Sequence, residues 1–269
     1  MRCGRTSLGK DAKPAKDRPL LDAKRETTKF GKSAREFLEH VRSSERDLND
    51  LGQFFAFAAG MAKQSRGQLF QDLWALWETG TEAPGYFVEF GAADGVYLSN
   101  SYLLETRFGW QGVLAEPNPA SVPLVRAARS CFVSDKCVFS RSGEHIAFLP
   151  ANMGELSRIR DIVPDDVHER AGRRTGQAPS EVLVETISLN DLLVQAGAPT
   201  RIDYMSVDTE GSEFEILANF DFERWDVRAI SVEHNFSPLR DQLYELLTGA
   251  GYRRKFRQFS RFDDWYVKA

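Results

Sequence analysis

Apolar positions along this 269-residue chain change period near residue 80, and the change separates two kinds of structure. Between Ser33 and Glu78 the spacing is helical: Phe37, Val41, Leu48, Leu51, Phe54 and Phe55 mark one apolar face, and Leu69, Leu73, Leu76 and Trp77 mark another. Two helices that cap a sheet are expected there. Gly80-Thr-Glu-Ala-Pro-Gly85 then punctuates the chain. From Tyr86 the apolar runs are short and nearly continuous. Phe87, Val88 and Phe90 suit a parallel strand buried on both faces, and residues 112–116 repeat the pattern after one helix-length segment. Further strands are expected near 131–133, 137–140, 145–149, 182–186, 203–207 and 229–233. Asn118, just before Pro119, is placed to cap a helix running to Val125. Ser188 is placed to cap a helix over 189–195, and 212–218 reads as another. Residues 252–267 alternate in two runs joined by a polar bend, the pattern of a hairpin. Strands alternating with helices predict an α/β fold.

With 42% hydrophobic residues, the chain can bury one sizeable core beside a small accessory region. The expected organisation is a basic arm at 1–32, a helical cap at 33–80 and a main domain at 81–269 with an insertion at 158–180. A formal net charge of -4 supplies no global attraction to nucleic acid or anionic lipid. Locally the picture differs. Arg2, Arg5, Lys10, Lys13, Lys16, Arg18, Lys24, Arg25, Lys29, Lys32 and Arg35 face only Asp11, Asp17, Asp22 and Glu26, with few apolar residues between them. Such an arm reads as a solvated, disordered tail, with weak membrane or nucleic-acid contact as the competing role. The start Met1-Arg-Cys-Gly-Arg5 lacks the apolar stretch of a secretory signal. No run approaches the roughly 20 apolar residues of a membrane span. A cytoplasmic protein is expected, with Cys3, Cys131 and Cys137 reduced.

Candidate chemistry gathers where strands end. In Tyr86-Phe-Val-Glu-Phe-Gly-Ala-Ala-Asp-Gly-Val96, Gly91 and Gly95 allow positive φ and close backbone approach. Their spacing departs from the Gly-x-Gly-x-x-Gly dinucleotide loop, since Ala93 and Val96 stand where later glycines would fall. The second apolar run ends in Glu116. Strand, glycine loop, helix, strand and acid is the order a ribose needs: the loop passes close to the ligand and a carboxylate accepts from the hydroxyls. A tight turn alone would use the same glycines. No Gly-x-Ser-x-Gly elbow and no phosphate-binding Gly-x-x-x-x-Gly-Lys loop occurs. Ligands of open α/β sheets bind beyond the carboxyl ends of the strands. Glu89 to Gly95, Glu116, Asp208 and Glu233 to Asn235 all fall at such ends.

Val88-Glu-Phe-Gly-Ala-Ala-Asp-Gly95, Leu114-Ala-Glu-Pro-Asn118 and Ile202-Asp-Tyr-Met-Ser-Val-Asp-Thr-Glu-Gly-Ser-Glu213 together resemble the signature blocks of the FkbM-type S-adenosylmethionine-dependent methyltransferases. The last block, with Asp208, Glu210, Gly211 and Glu213, is the most specific. The resemblance runs from about Tyr86 to the C-terminus. It implies a Rossmann-like class I methyltransferase fold: a seven-stranded, mostly parallel sheet with helices on both faces and a C-terminal antiparallel hairpin, preceded by N-terminal helices. It further implies S-adenosylmethionine as donor and a small-molecule or glycan acceptor, a hydroxyl on a saccharide, glycolipid or natural product. On that basis the donor lies over Glu89, Phe90, Gly91, Ala92, Asp94 and Gly95, with Glu116 on its ribose and Pro117, Asn118 and Asp208 nearby. Ser134 or Asp135 is expected at the adenine. Asp94 is equally suited to capping the next helix.

Methyl transfer from a sulfonium needs donor and acceptor aligned at near-attack distance. A neutral hydroxyl also needs a base to take its proton or a cation that lowers its pKa. His234 is the best base by residue type, with Glu210 and Glu233 as alternatives. Asp208, Glu233 and Asn235 offer hard oxygen ligands at neighbouring strand ends, a candidate Mg²⁺ site. Gly211 and Glu213 serve equally well as a turn residue and a helix-terminus acid. The competing readings are N-methylation or another small-molecule methyl transfer, and a scaffold that keeps the fold and catalyses nothing.

Overall fold

A computed structural model describes residues 47–80, 83–151, 157–162, 165 and 181–269. The expected basic arm at 1–32, the start of the helical cap and most of the 158–180 insertion lie outside the described residues. Two helices come first, α1 (Asp47–Ala59) and α2 (Gln71–Thr79). The chain then runs through β1 (Tyr86–Phe90), α3 (Tyr102–Phe108), β2 (Gln111–Ala115), α4 (Val122–Ala128), β3 (Phe132–Ser134), β4 (Cys137–Phe139), β5 (His145–Leu149) and β6 (Arg158–Ile159). It continues through β7 (Val182–Ser188), α5 (Leu189–Gln195), β8 (Arg201–Val207), α6 (Glu213–Ala218), β9 (Asp226–Glu233), α7 (Leu239–Gly249), β10 (Tyr252–Lys255), α8 (Arg257–Ser260) and β11 (Asp263–Lys268).

Seven strands form the main sheet in the order β10-β11-β9-β8-β1-β2-β3. From β9 to β3 neighbouring strands are parallel, whereas β11 is antiparallel to both β9 and β10, so the sheet is mixed. Register sets the functional edge. Phe90 pairs with both Ala115 and Val207, and Val207 pairs with Val232, so the carboxyl ends of β1, β2, β8 and β9 are level. Because β11 runs the other way, its first residue, Asp263, lies opposite Glu233, the last residue of β9.

The apolar runs of the central strands are explained by burial on both faces: Phe87, Val88, Phe90, Tyr204, Met205 and Val207 are all buried. Val88, Phe90, Met205, Val207, Ile230 and Val232 share one core with Ile216 and Leu217 of α6 and Leu243 and Leu247 of α7. The alternate residues meet the N-terminal helices. Trp74 of α2 stacks on Trp265 at 4.9 Å between centroids and meets Tyr204 edge-on at 6.4 Å, while Phe54 of α1 stands perpendicular to Trp265. Such ring pairs contribute about 0.5–1.5 kcal/mol each beyond their buried area.

The strands expected at 137–140, 145–149 and 182–186 do form, but they build a second sheet, β4-β7-β5-β6, around Cys137, Phe148, Ile159 and Val184. β6 comes from the segment read as an insertion. Ser188 caps α5, its Oγ accepting from the Asp191 N–H at 3.1 Å. Asn118 caps no helix: α4 begins at Val122, with Pro123 in its first turn, and the Asn118 Oδ1 instead accepts from the Ala120 N–H at 3.0 Å. The helical turn α8 replaces the polar bend expected in the C-terminal hairpin. No helix among the described residues is long and apolar enough to cross a membrane.

β1 and β2 approach closely at one point. A Cβ added to Gly112 would lie 2.5 Å from the Phe87 ring and from the Phe87 carbonyl oxygen. Gly112→Ala is therefore expected to cost about 1–3 kcal/mol by overpacking in urea unfolding followed by tryptophan fluorescence. Gly52→Ala in α1, whose new Cβ meets nothing within 4 Å, is expected to be neutral or stabilising.

Candidate active site

The level strand ends open onto a cavity of about 520 Å³, within the range of about 300–1,000 Å³ typical of small-molecule sites. Cys137, Val138, Phe148 and Ile159 of the second sheet give it an apolar wall, and Gln68, three residues before α2, and Gln71, its first residue, also line it. Tyr97 and Phe236, both exposed, are aromatic members of the lining.

Gly91 fixes the loop that leaves β1. Its φ is +83°, its N–H donates to the Ala115 carbonyl at 3.2 Å, and a Cβ there would overlap the Asp208 carbonyl oxygen. Only glycine fits between these two strand ends. The loop then turns back over β2, with Ala93 at φ +48° donating its N–H to Glu116 Oε2 at 2.8 Å. Glu116 Oε1 accepts from the Asn118 N–H, also at 2.8 Å. Each oxygen keeps further acceptor capacity. Burial pushes the Glu116 carboxyl up to about 7, against the lowering effect of its two backbone bonds.

Glu89, the penultimate residue of β1, is committed to the protein itself. It accepts from the Ser99 and Ser101 hydroxyls and the Asn100 N–H, and the fully buried Arg129 guanidinium lies 3.8 Å from it. Arg129 also bonds Glu105 at 2.6 Å, Ser101 at 2.8 Å and the Gly95 carbonyl at 3.0 Å. This network pins the 95–101 loop. Burial would raise Glu105, but the Arg129 charge together with hydrogen bonds from the Ser130 N–H and from Arg129 outweighs it and holds that carboxyl low.

A second acidic group gathers beyond the ends of β8 and β9. One carboxylate oxygen from each of Asp208, Glu210 and Glu233 lies within 4.8 Å of the others. Full charges at that separation repel by about 3–4 kcal/mol per pair at an effective dielectric near 20. Burial, followed by repulsion from Asp208, Glu210 and Asp263, pushes Glu233 well above the usual carboxylate range, and burial raises Asp208 to about 7. Asp208 and Glu233 are themselves hydrogen-bonded. Glu233 Oε2 has no hydrogen-bond partner. Asp263 completes the group from β11; burial raises it to about 7, opposed by a 2.6 Å bond from Gln71 Nε2. The described lining contains Glu89, Glu116, Asp208, Glu210, Glu233 and Asp263 but no Lys, Arg or His.

Several expected site residues sit elsewhere. His234 does not line the cavity. The turn at Asn235 and Phe236, both left-handed, folds back so that the Phe236 N–H donates to His234 Nδ1 at 2.9 Å. His234 Nε2 lies 3.9 Å from Asp264, and burial pushes the imidazole down to about 4, so it is neutral at pH 7. Asp94 Oδ1 closes a turn by accepting from the Val96 and Tyr97 N–H groups. Neither Asp94, Gly95, Asn118, Ser134 nor Asp135 lines the cavity, and Asp135 is paired with Arg126 on the exposed surface. Phe90, Gly91, Ala92, Pro117, Asp208, Glu210, Glu233 and Asn235 do line it, as do Glu89 and Glu116. Asp263, Gln71 and Arg129 were not anticipated. Only the acid doublet Asp263-Asp264 beside an aromatic run hints at the first of them.

Comparison with known proteins adds one strong relation. The family described as the methyltransferase FkbM domain matches residues 89–254, which contain the glycine loop, Glu116 and the Asp208 to Glu213 block. No curated protein matches the chain. A precorrin-6y C5,15-methyltransferase from Geobacter metallireducens is similar at 13% identity over 73% of this chain and 88% of that one, with a TM-score of 0.37. A chain of the complex between the Haloferax volcanii Trm112 methyltransferase activator and a methyltransferase is similar at 12% identity over 83% and 99%, again with a TM-score of 0.37. Likenesses that loose carry no argument about this chain.

Arg129→Met would strip the cation from one buried and one partly buried carboxylate, Glu89 and Glu105. It is expected to cost about 3–5 kcal/mol in urea unfolding; a loss below about 1 kcal/mol would contradict the structural role given to this network.

Proposed function

The chain belongs to the FkbM methyltransferase family, and we propose that it transfers a methyl group from S-adenosylmethionine to a hydroxyl of a saccharide, glycolipid or natural product. Glu116 carries this reading. Its buried carboxylate faces the glycine loop at 2.8 Å, with acceptor capacity left on both oxygens for a pair of ribose hydroxyls. The rest of the cavity fits the donor by charge: among the described lining residues there are carboxylates and no basic side chain, which suits a positively charged sulfonium compound. They disfavour an acceptor with phosphate or carboxylate near the reacting hydroxyl.

When bound, the donor supplies an activated methyl group. The chain's own residues do the rest. Gly91 lets the loop close against Asp208, and Glu116 orients the ribose. The apolar wall of Val138, Phe148 and Ile159 keeps water from the reacting groups. The hydroxyl proton passes to a carboxylate of the Asp208, Glu210 and Glu233 group, because His234 is turned from the cavity with its Nδ1 occupied. We read α1 and α2 as a cap whose Gln71 steadies Asp263. The same acids, the charged residues of the described lining, favour a second reading, methylation of an amine. Parallel turnover assays with neutral and amino-bearing saccharides, following S-adenosylhomocysteine, decide between the two.

Glu116 accepts best from two hydroxyls when ionised, and its pKa near 7 makes binding pH-dependent. Donor affinity is expected to rise with pH, falling about tenfold from pH 8 to pH 6 as the carboxylate takes up a proton. Glu116→Gln is expected to weaken binding about tenfold or more and to flatten that dependence. Asp208 and Asp263 titrate in the same window, so the slope lost in the variant is the share due to Glu116. Calorimetry of the two proteins across this range is the check, and equal affinities would contradict the ribose assignment.

A further inference from the structure

Asp208 follows the last residue of β8, Glu210 stands two residues later, and Glu233 ends β9, whose Val232 pairs with Val207. That register brings one oxygen from each acid within 4.8 Å of the others. Two oxygens bound to a single hard divalent ion lie no more than about 5 Å apart, twice a metal–oxygen distance of about 2.3–2.6 Å. We propose that Asp208, Glu210 and Glu233 form a binding site for a hard divalent cation at the floor of the cavity.

A separate observation points to a ligand. Glu233 is 8% exposed and its Oε2 is shielded from solvent with no hydrogen-bond partner, so a buried acceptor has been left over. No Lys, Arg or His among the described lining residues neutralises it. Arg240 of α7 and Arg254 of β10 bond Asp264, and Lys255 of β10 bonds Glu78 and Asp50. Glu89 differs from Glu233 in this respect, because Arg129 lies 3.8 Å from it. Carboxylates are the ligand type of Ca²⁺, Mg²⁺ and Mn²⁺ rather than of thiophilic ions. Three protein oxygens leave the other positions of the ion to water or to a substrate hydroxyl. Asn235, expected as a ligand beside Asp208 and Glu233, lines the same cavity.

The test omits the methyl donor, so its outcome is independent of the donor reading. Metal-stripped protein is titrated with Mn²⁺, the free ion being followed by electron paramagnetic resonance, and with Ca²⁺ by calorimetry. One site per chain with a dissociation constant below about 1 mM is expected. Glu233→Gln and Glu210→Gln are each expected to weaken it at least tenfold, no less than the loss of an outer-shell partner. Melting supplies a second readout. Added Mn²⁺ should raise the Tm of the parent protein and not of Glu233→Gln, whereas without metal that variant should melt at or above the parent, having lost a buried acid crowded by others. Absence of saturable binding by the folded parent, or undiminished binding by both variants, would overturn the site. Cation binding without S-adenosylmethionine binding would keep the site and refute the donor reading instead.

Discussion

The contact on which the rest depends is the approach of Gly91 to the Asp208 carbonyl, where the loops leaving two central parallel strands touch with no room for a side chain. Level strand ends would otherwise open as a broad trough. With Gly91 at positive φ, the first loop turns over β2 and reaches Glu116 through the Ala93 N–H, while the second starts at Asp208 and carries Glu210. Both acidic groups of the cavity thus take their places from one backbone contact. The demand for glycine comes from this approach, and a dinucleotide-type loop is not needed to explain it.

Two ways of burying carboxylates lie side by side in this edge. Glu89 is saturated by two hydroxyls, a backbone N–H and the Arg129 network, and the product is a rigid 95–101 loop. Its chemistry is spent on structure. Asp208 and Glu233 have each other, Glu210 and Asp263, all of one sign, and burial raises both. Crowding buried acids in this way is unfavourable to their charged forms, and it contributes nothing to stability that the Arg129 network does not supply better. Glu116 stands between these extremes, with two backbone bonds and a carboxyl near 7.

Much of this edge was legible in the residues because a glycine or an acid follows each apolar run directly: Phe90-Gly91, Ala115-Glu116, Val207-Asp208 and Val232-Glu233 each mark a strand and its end. What failed to show depends on direction and orientation. Asp263 sits at the start of β11, and only the antiparallel course of that strand brings it beside Glu233. His234 has the right chemistry for a base, but the left-handed turn at Asn235 and Phe236 points its Nδ1 at backbone. Pro119 and Pro123 offer the same helix-start signal, and packing chose the later one, leaving Asn118 to close a turn. Strands β4, β5 and β7 carry the apolar signature of the main sheet, so pattern alone did not reveal that they form a separate one.

Glu116 and the glycine loop make one central claim, that this cavity holds the nucleoside of the methyl donor. The most direct measurement is a crystal structure with S-adenosylhomocysteine. The account predicts the ribose hydroxyls on the Glu116 carboxylate, with the sulfur directed toward Asp208 and Glu233. A nucleoside bound elsewhere, or none at saturating concentration, would contradict it.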